Sequence, residues 1–240
     1  MLRLKADLHT HTADDPYDRI DYSSEMLIDA AAKLNVNVLA IACHGRVVKS
    51  DRLTAYAAER DVLLIPGVEV IVEGKHIVVL NPDARQVQAT TFADLRRAAG
   101  RREGVVMAPH PYYFERSCLK AKLIEHIDVF DAIEYCCLYL PGINMNRKAV
   151  VAAQRYGLPL IGTTDTHAFP YCDSTFSWIE AEEATIPGVI EAVRAGRVTI
   201  ETRPRPLPLV VSMTGFYVRD KASEIASWFR RTRRRNAGVD

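Results

Sequence analysis

The sequence predicts an α/β barrel on two observations. Short apolar runs rich in β-branched residues alternate with segments of helical period along most of the chain, and 240 residues suit one barrel core. "LKADLHTH" opens as a strand. A helix follows with Ser24 as its N-cap and Leu27, Ala30, Ala31 and Leu34 on one apolar face. "NVLAIACH" is the second strand, and "LLIPGVEVIV" and "HIVVL" come next. A helix then starts at Thr91, where Asp94 three residues on resembles a capping box. "GVVMAPHP" and "VFDAIEYCC" are further strands. The helix after them carries Ala149, Ala152, Ala153 and Tyr156 on one face and closes on Gly157, with Pro159 beyond. "LPLIGTTDTH" and "TFSWIEA" complete the strands, which are read as members of a parallel sheet, and a last helix runs from about Pro187 to Ala195 and ends at Gly196. The composition breaks at "RPRPLP", residues 203 to 208. Residues 1–202 are therefore read as one barrel domain, and 203–240 as a Pro-rich connector and basic extension, with an appended strand and helix, packed on or trailing from it.

Hydrophobic residues make up 48% of the chain and charged ones 25%, the balance of a soluble globular enzyme rather than a disordered or membrane chain. No apolar run is long enough for a membrane helix, and "MLRLKADLHTH" lacks the apolar core of a secretory signal, so the expected location is cytoplasmic with no membrane partner. None of the cysteines, Cys43, Cys118, Cys136, Cys137 and Cys172, forms a C-x-x-C pair, and they read as free thiols. A net charge of +1 gives no general field for nucleic acid. The five arginines of "WFRRTRRRNAGVD" read as a solvated tail and are assigned no chemistry.

Histidine placement points to function. Six of the seven histidines, His9, His11, His44, His76, His110 and His167, fall inside or at the end of an expected strand, in company with Glu69, Glu134 and Asp165. In a parallel barrel the carboxyl ends of the strands open on one face, so these groups converge there. Strand alternation is expected to turn Asp7, His9 and His11 to one side, and Asp165 and His167 likewise. Burying many unpaired imidazoles and carboxylates costs several kcal/mol per charge, at least about 3, and divalent cations offset it. Imidazole with carboxylate and no thiolate suits zinc, manganese or iron.

These residues carry a resemblance. "DLHTHT", "IACHG", "GVEV", "APHPY" and "GTTDTH", in that order from about residue 4 to residue 200, resemble the motifs of the PHP (polymerase and histidinol phosphatase) phosphoesterases. Amidohydrolases and TatD-like nucleases share the opening His-x-His, but His44, Glu69 and the histidine two after Asp165 match the PHP pattern better. The resemblance implies a distorted (β/α)7 barrel of the TIM-like, PHP type with three divalent metal ions. It assigns His9, His11, Glu69 and Asp165 to one metal. His44, His167 and a loop aspartate, Asp15 or its neighbour Asp14, hold the second. Glu69 bridges to a third completed by His76 and His110. Family members often read "HTxxSDG" where this chain has "HTADDPYD", one residue shorter before the aspartate.

The implied activity is metal-dependent hydrolysis of a phosphate ester by a metal-activated hydroxide, on a nucleotide or small phosphorylated metabolite. Asp165 and His167 are the expected catalytic residues, with Asp165 also orienting water. Arg116 and Tyr112, in the loop after His110, are candidate substrate contacts, with Tyr113 and Tyr171 as further loop aromatics. Glu134, Asn146 and Asp7 read as structural or ligand-orienting. Two alternatives stand beside this reading: an exonuclease on single-stranded ends, where oligonucleotide is the partner, and a noncatalytic metal-binding regulatory module.

Overall fold

A computed structural model describes residues 1–98 and 103–205. The expected terminal strand and helix and the arginine tail fall in 206–240, outside the described residues.

Nine strands form one sheet: β1 (Leu2–Thr10), β2 (Val38–Ile41), β3 (Leu63–Val72), β4 (Lys75–Leu80), β5 (Val105–Ala108), β6 (Ala132–Cys136), β7 (Leu160–Thr163), β8 (Thr175–Ala181) and β9 (Val198–Thr202). Seven helices accompany them: α1 (Ser24–Lys33), α2 (Asp51–Ala58), α3 (Ala84–Val87), α4 (Phe92–Ala98), α5 (Ala121–Glu125), α6 (Arg147–Tyr156) and α7 (Ile186–Arg194), counted among the described residues. The strand order is β7-β6-β5-β4-β3-β2-β1-β8-β9.

The sheet curls into a nearly closed barrel. At its seam Gly162 of β7 donates to Ser177 Oγ of β8 at 2.8 Å, and the Ser177 hydroxyl donates back to the Gly162 carbonyl. A Cβ at Gly162 would lie 2.7 Å from the Phe176 carbonyl oxygen, so this approach requires glycine. Past the strand ends, the Asp165 amide donates to the His9 carbonyl and the His11 amide to the Thr166 carbonyl, which ties the tip of β7 to that of β1.

The distorted barrel expected from the sequence is present, but its sheet is mixed rather than parallel. β1, β2 and β3 pair in parallel, as do β5, β6 and β7; β4 is antiparallel to both its neighbours, and β8 is antiparallel to β1 and β9. The cause is local. Glu73 and Gly74 both take positive φ, 49° and 73°, making a two-residue turn that folds β4 back on β3 with Val72 opposite Lys75. β9 was not expected; its residues alternate between half-buried and exposed, and at the sheet edge they carry little apolar signal.

Inside the barrel, Leu8, Ala40, Ile65 and Met107 share one apolar cluster with Val189, Ile190 and Val193 of α7. A second cluster joins the strands to Phe92 and Leu95 of α4 and Ala149, Ala152 and Ala153 of α6. The latter helix closes on Gly157 at φ 67°, as its sequence predicted. Thr91 and Asp94 make the reciprocal cap of α4, side chain to backbone in both directions. The N-cap of α1 is Ser23 rather than Ser24: Ser23 is extended and accepts from the Met26 amide, whereas the Ser24 hydroxyl turns to Thr12 and Asp14. Among the described residues no helix is long and apolar enough to cross a membrane.

Candidate metal centre

Each strand end delivers its side chain by a definite device. The register of β1 against β2 shifts between Asp7 and Thr10, a bulge that breaks the strict alternation expected to keep Asp7, His9 and His11 on one side. Asp7 instead accepts from Thr164 and from the Tyr171 hydroxyl, while His9 and His11 face Glu69. Beyond β2, His44 bridges to Glu69 in β3. Because β4 runs antiparallel, His76 arrives from the start of its strand, an exception to the carboxyl-end rule applied in the sequence reading. His110 and Asp165 sit two residues past β5 and β7 in positive-φ turns, at 27° and 45°, which end the strands and re-aim the side chains. Such conformations cost of order 1 to 3 kcal/mol each and cluster at functional sites.

The convergence is on Glu69, which is 1% exposed. Its Oε2 lies 3.5 Å from His9 Nε2, 3.4 Å from His11 Nε2 and 3.0 Å from His44 Nε2. Its Oε1 lies 2.9 Å from His76 Nδ1 and 3.4 Å from His110 Nε2. Asp165 Oδ1 is 3.5 Å from each of His9, His11 and His167, and its Oδ2 is 4.0 Å from His110. The seventh histidine, His126, stacks on Phe92 of α4.

The donor set fits cations. His9 Nε2 and His11 Nε2 approach to 3.0 Å, so at least one lone pair is aimed at the other ring. Glu69 Oε1 and Asp165 Oδ1 are buried and accept no hydrogen bond, the orphaned state that a cation relieves. The groups His9/His11/Glu69, His11/His44/His167 and His44/Glu69/His76 each hold ligand atoms within 4.8 Å of one another.

The loop after β1 gives Asp14 and Asp15 different partners. Asp15 Oδ2 accepts from Nδ1 of His11 and of His44, both at 2.9 Å, and from the His44 amide at 2.8 Å. Asp14 accepts from Ser24 and Thr12 instead. Asp18, not singled out in the sequence, also faces the centre: its Oδ2 is 3.1 Å from His167 Nε2 and 3.5 Å from His44 Nδ1. The available signal was three aspartates within five positions of a shortened loop, 14, 15 and 18. Glu134 is fully buried and holds the far sides of two imidazole segments, accepting from His9 Nδ1 at 2.8 Å and from the His110 amide. The Asn146 side chain bonds both backbone groups of Cys136.

The loop candidates spread out. Tyr112 is half-buried against the second apolar cluster, Tyr113 donates to the Leu138 carbonyl, and Arg116 stands exposed. Tyr17, 65% exposed, sets its ring edge-on to His44 with centroids 5.8 Å apart.

Charge sharing follows the contacts. Burial opposes protonation of His44, but Glu69 and Asp15 outweigh it and push its pKa up to about 11. His9 is raised well above the usual value, burial being outweighed by Asp165, Glu134 and Glu69. Burial and the His167 charge hold His11 well below it. Despite burial, His76 and His44 hold Glu69 well below the usual carboxylate range. Burial pushes Asp7 up to about 6.

No family model and no curated protein matches the chain. Solved structures do. The chain is similar to a two-domain protein from Bacteroides vulgatus containing a predicted PHP-like metal-dependent phosphoesterase, at 17% identity and TM-score 0.63, over 84% of this chain and 65% of that one. The fold is that of the PHP-like phosphoesterases. The chain is also similar to PsfC from Pseudomonas syringae at 14% identity and TM-score 0.62, over 92% of this chain and 99% of that one. It is similar to a lesion-specific endonuclease from Pyrococcus furiosus at 13% identity and TM-score 0.59, over 83% of this chain and 58% of that one. This chain thus spans about two thirds or less of the first and third of these proteins.

Proposed function

We propose that the chain is a metal-dependent phosphoesterase, with three divalent cations, zinc, manganese or iron, as its cofactors. One observation carries the reading: five imidazoles from three strand ends and the start of β4 meet the two oxygens of one buried carboxylate, Glu69, with Oε1 lacking any hydrogen bond. His9, His11, Glu69 and Asp165 would hold one cation. His44 and His167, with Asp18 as the acidic group, would hold the second, Asp15 standing behind His11 and His44 rather than among its ligands, and Glu69, His76 and His110 would hold the third. Cations held by these residues would supply polarisation of phosphoryl oxygens and a bound water with its pKa lowered toward about 7. Asp165, with Oδ1 turned inward and free of hydrogen bonds, orients the attacking water, and His167 fixes Asp165 from 3.5 Å away. Asp15 and Glu134 keep the imidazoles turned inward by accepting from their outer nitrogens.

The substrate is a phosphomonoester of a nucleotide or small metabolite, with exposed Arg116 of the loop after β5 as its contact, whereas Tyr112 packs against the second apolar cluster. A nuclease reading has its own support. Arg46 and Lys49 line a cavity of about 410 Å³ that also takes in Asp14, the neighbour of Asp15, and could offer cations to a second phosphate, and the fold is shared with an endonuclease. A noncatalytic module has less, because each of the three subsites retains a histidine pair and a carboxylate. Five free cysteines suit a reducing cytoplasm.

Exhaustive chelation is expected to remove phosphatase activity toward p-nitrophenyl phosphate, and readdition of manganese or zinc to restore it; turnover that survives chelation overturns the proposal. Metal uptake should also expel protons. His44 is pushed up to about 11 by Glu69 and Asp15, so it enters the binding reaction protonated at pH 7 and must release the proton to ligate. Affinity therefore rises with pH across neutrality. Calorimetry at pH 7 in two buffers of different ionisation enthalpy should report about one or more protons released per chain, and a value of zero contradicts the assignment.

A further inference from the structure

The six histidines differ in what stands behind them. A ring that binds a cation through one nitrogen carries its proton on the other, and an acceptor there fixes the tautomer and raises ligand basicity. His9 Nδ1 faces the Glu134 carboxylate at 2.8 Å, and His11 and His44 each face Asp15 at 2.9 Å. His167 Nδ1 meets the Asp165 carbonyl at 3.0 Å, with Asp18 on its other nitrogen.

His110 and His76 are built otherwise. With Nε2 turned to Glu69, His110 has only the Cys118 Sγ at 3.4 Å on Nδ1, and a thiol sulfur is a weak acceptor. His76 presents Nδ1 to Glu69 and has no carboxylate behind its other nitrogen among the described residues. The same loop holds both: the His76 amide donates to the Ser117 carbonyl, and Lys75 Nζ donates to the carbonyls of Arg116 and Cys118. Cys118 thus belongs to the one element that positions both rings.

Resting on the phosphoesterase reading above, we infer that the cation held by Glu69 Oε1, His76 and His110 is the weakly bound, exchangeable one of the three, and that Cys118 is the positioning residue that sets its affinity. Outer partners of metal-ligating histidines are worth about 10- to 100-fold in affinity, which is the expected gap between this cation and the other two.

The test is titration of metal-stripped full-length protein with zinc, read by calorimetry and by metal content after dialysis. Two tight equivalents and a third at least about tenfold weaker are expected. Cys118→Ala should weaken the third alone by about tenfold, and Cys118→Ser, which restores an acceptor, should recover most of it. Three equivalents of equal affinity, or a Cys118→Ala variant that weakens all three alike or none, overturn the inference while leaving the phosphoesterase reading standing. Failure to bind any metal defeats that reading instead. If Cys118→Ala does not fold by circular dichroism, the wild-type titration and Cys118→Ser still decide.

Discussion

Glu69→Gln is expected to lower phosphoesterase turnover on the order of 10³-fold, the scale on which one preorganised electrostatic group acts, and to release metal from two subsites at once. The substitution keeps shape and removes charge. Each carboxylate oxygen faces a separate set of imidazoles, so in the proposed arrangement one carboxylate would serve two cations. A glutamine amide group offers one acceptor and turns an NH2 toward the other set. Stability should fall too, because His44, whose pKa Glu69 helps push up to about 11, loses a buried counter-charge, a change worth about 3 to 5 kcal/mol. Metal analysis, steady-state rates and urea melts of the metal-free protein measure these effects. Metal content and rate within about twofold of the parent would remove Glu69 from the centre of the argument.

The site was legible because its chemistry is written in residue types that sequence preserves. His9, His11, His44, Glu69, His110 and Asp165 could be named because each falls in or at the end of a strand candidate and within a motif that resembles the PHP pattern. What the sequence hid was direction. The Glu73-Gly74 turn reverses β4, so His76 reaches the rim from the opposite end of its strand, and no periodicity distinguishes a parallel strand from an antiparallel one when both are buried. The β1 bulge was equally silent: an extra residue in a strand changes pairing, not composition. Asp18 escaped because a loop has no period to read, and its part depends on how the segment from Asp15 folds, where Asp15 Oδ1 accepts from the Tyr17 and Asp18 amides. The short helices α3 and α5, of four and five residues, fall below any helical window.

Glu134 shows how the same centre depends on a residue outside the proposed ligand set. Its carboxylate is surrounded by donors alone: His9 Nδ1, the Thr163 hydroxyl and the His110 amide. Only a carboxylate satisfies all of them, because any amide replacement points its NH2 at a donor. Glu134→Ala is therefore expected to lower metal affinity by about 10- to 100-fold and, by leaving buried donors without acceptors, to cost about 1 to 3 kcal/mol for each one orphaned. Glu134→Gln should fall between the two, since its one oxygen retains part of the set. The role is positioning, so the defect has a signature: saturating metal should return Glu134→Gln turnover to within about tenfold of the parent, whereas Glu69→Gln stays low. Equal, metal-independent losses in the two variants would mean that Glu134 acts on the reacting groups directly, and that the division drawn between its role and that of Glu69 is wrong.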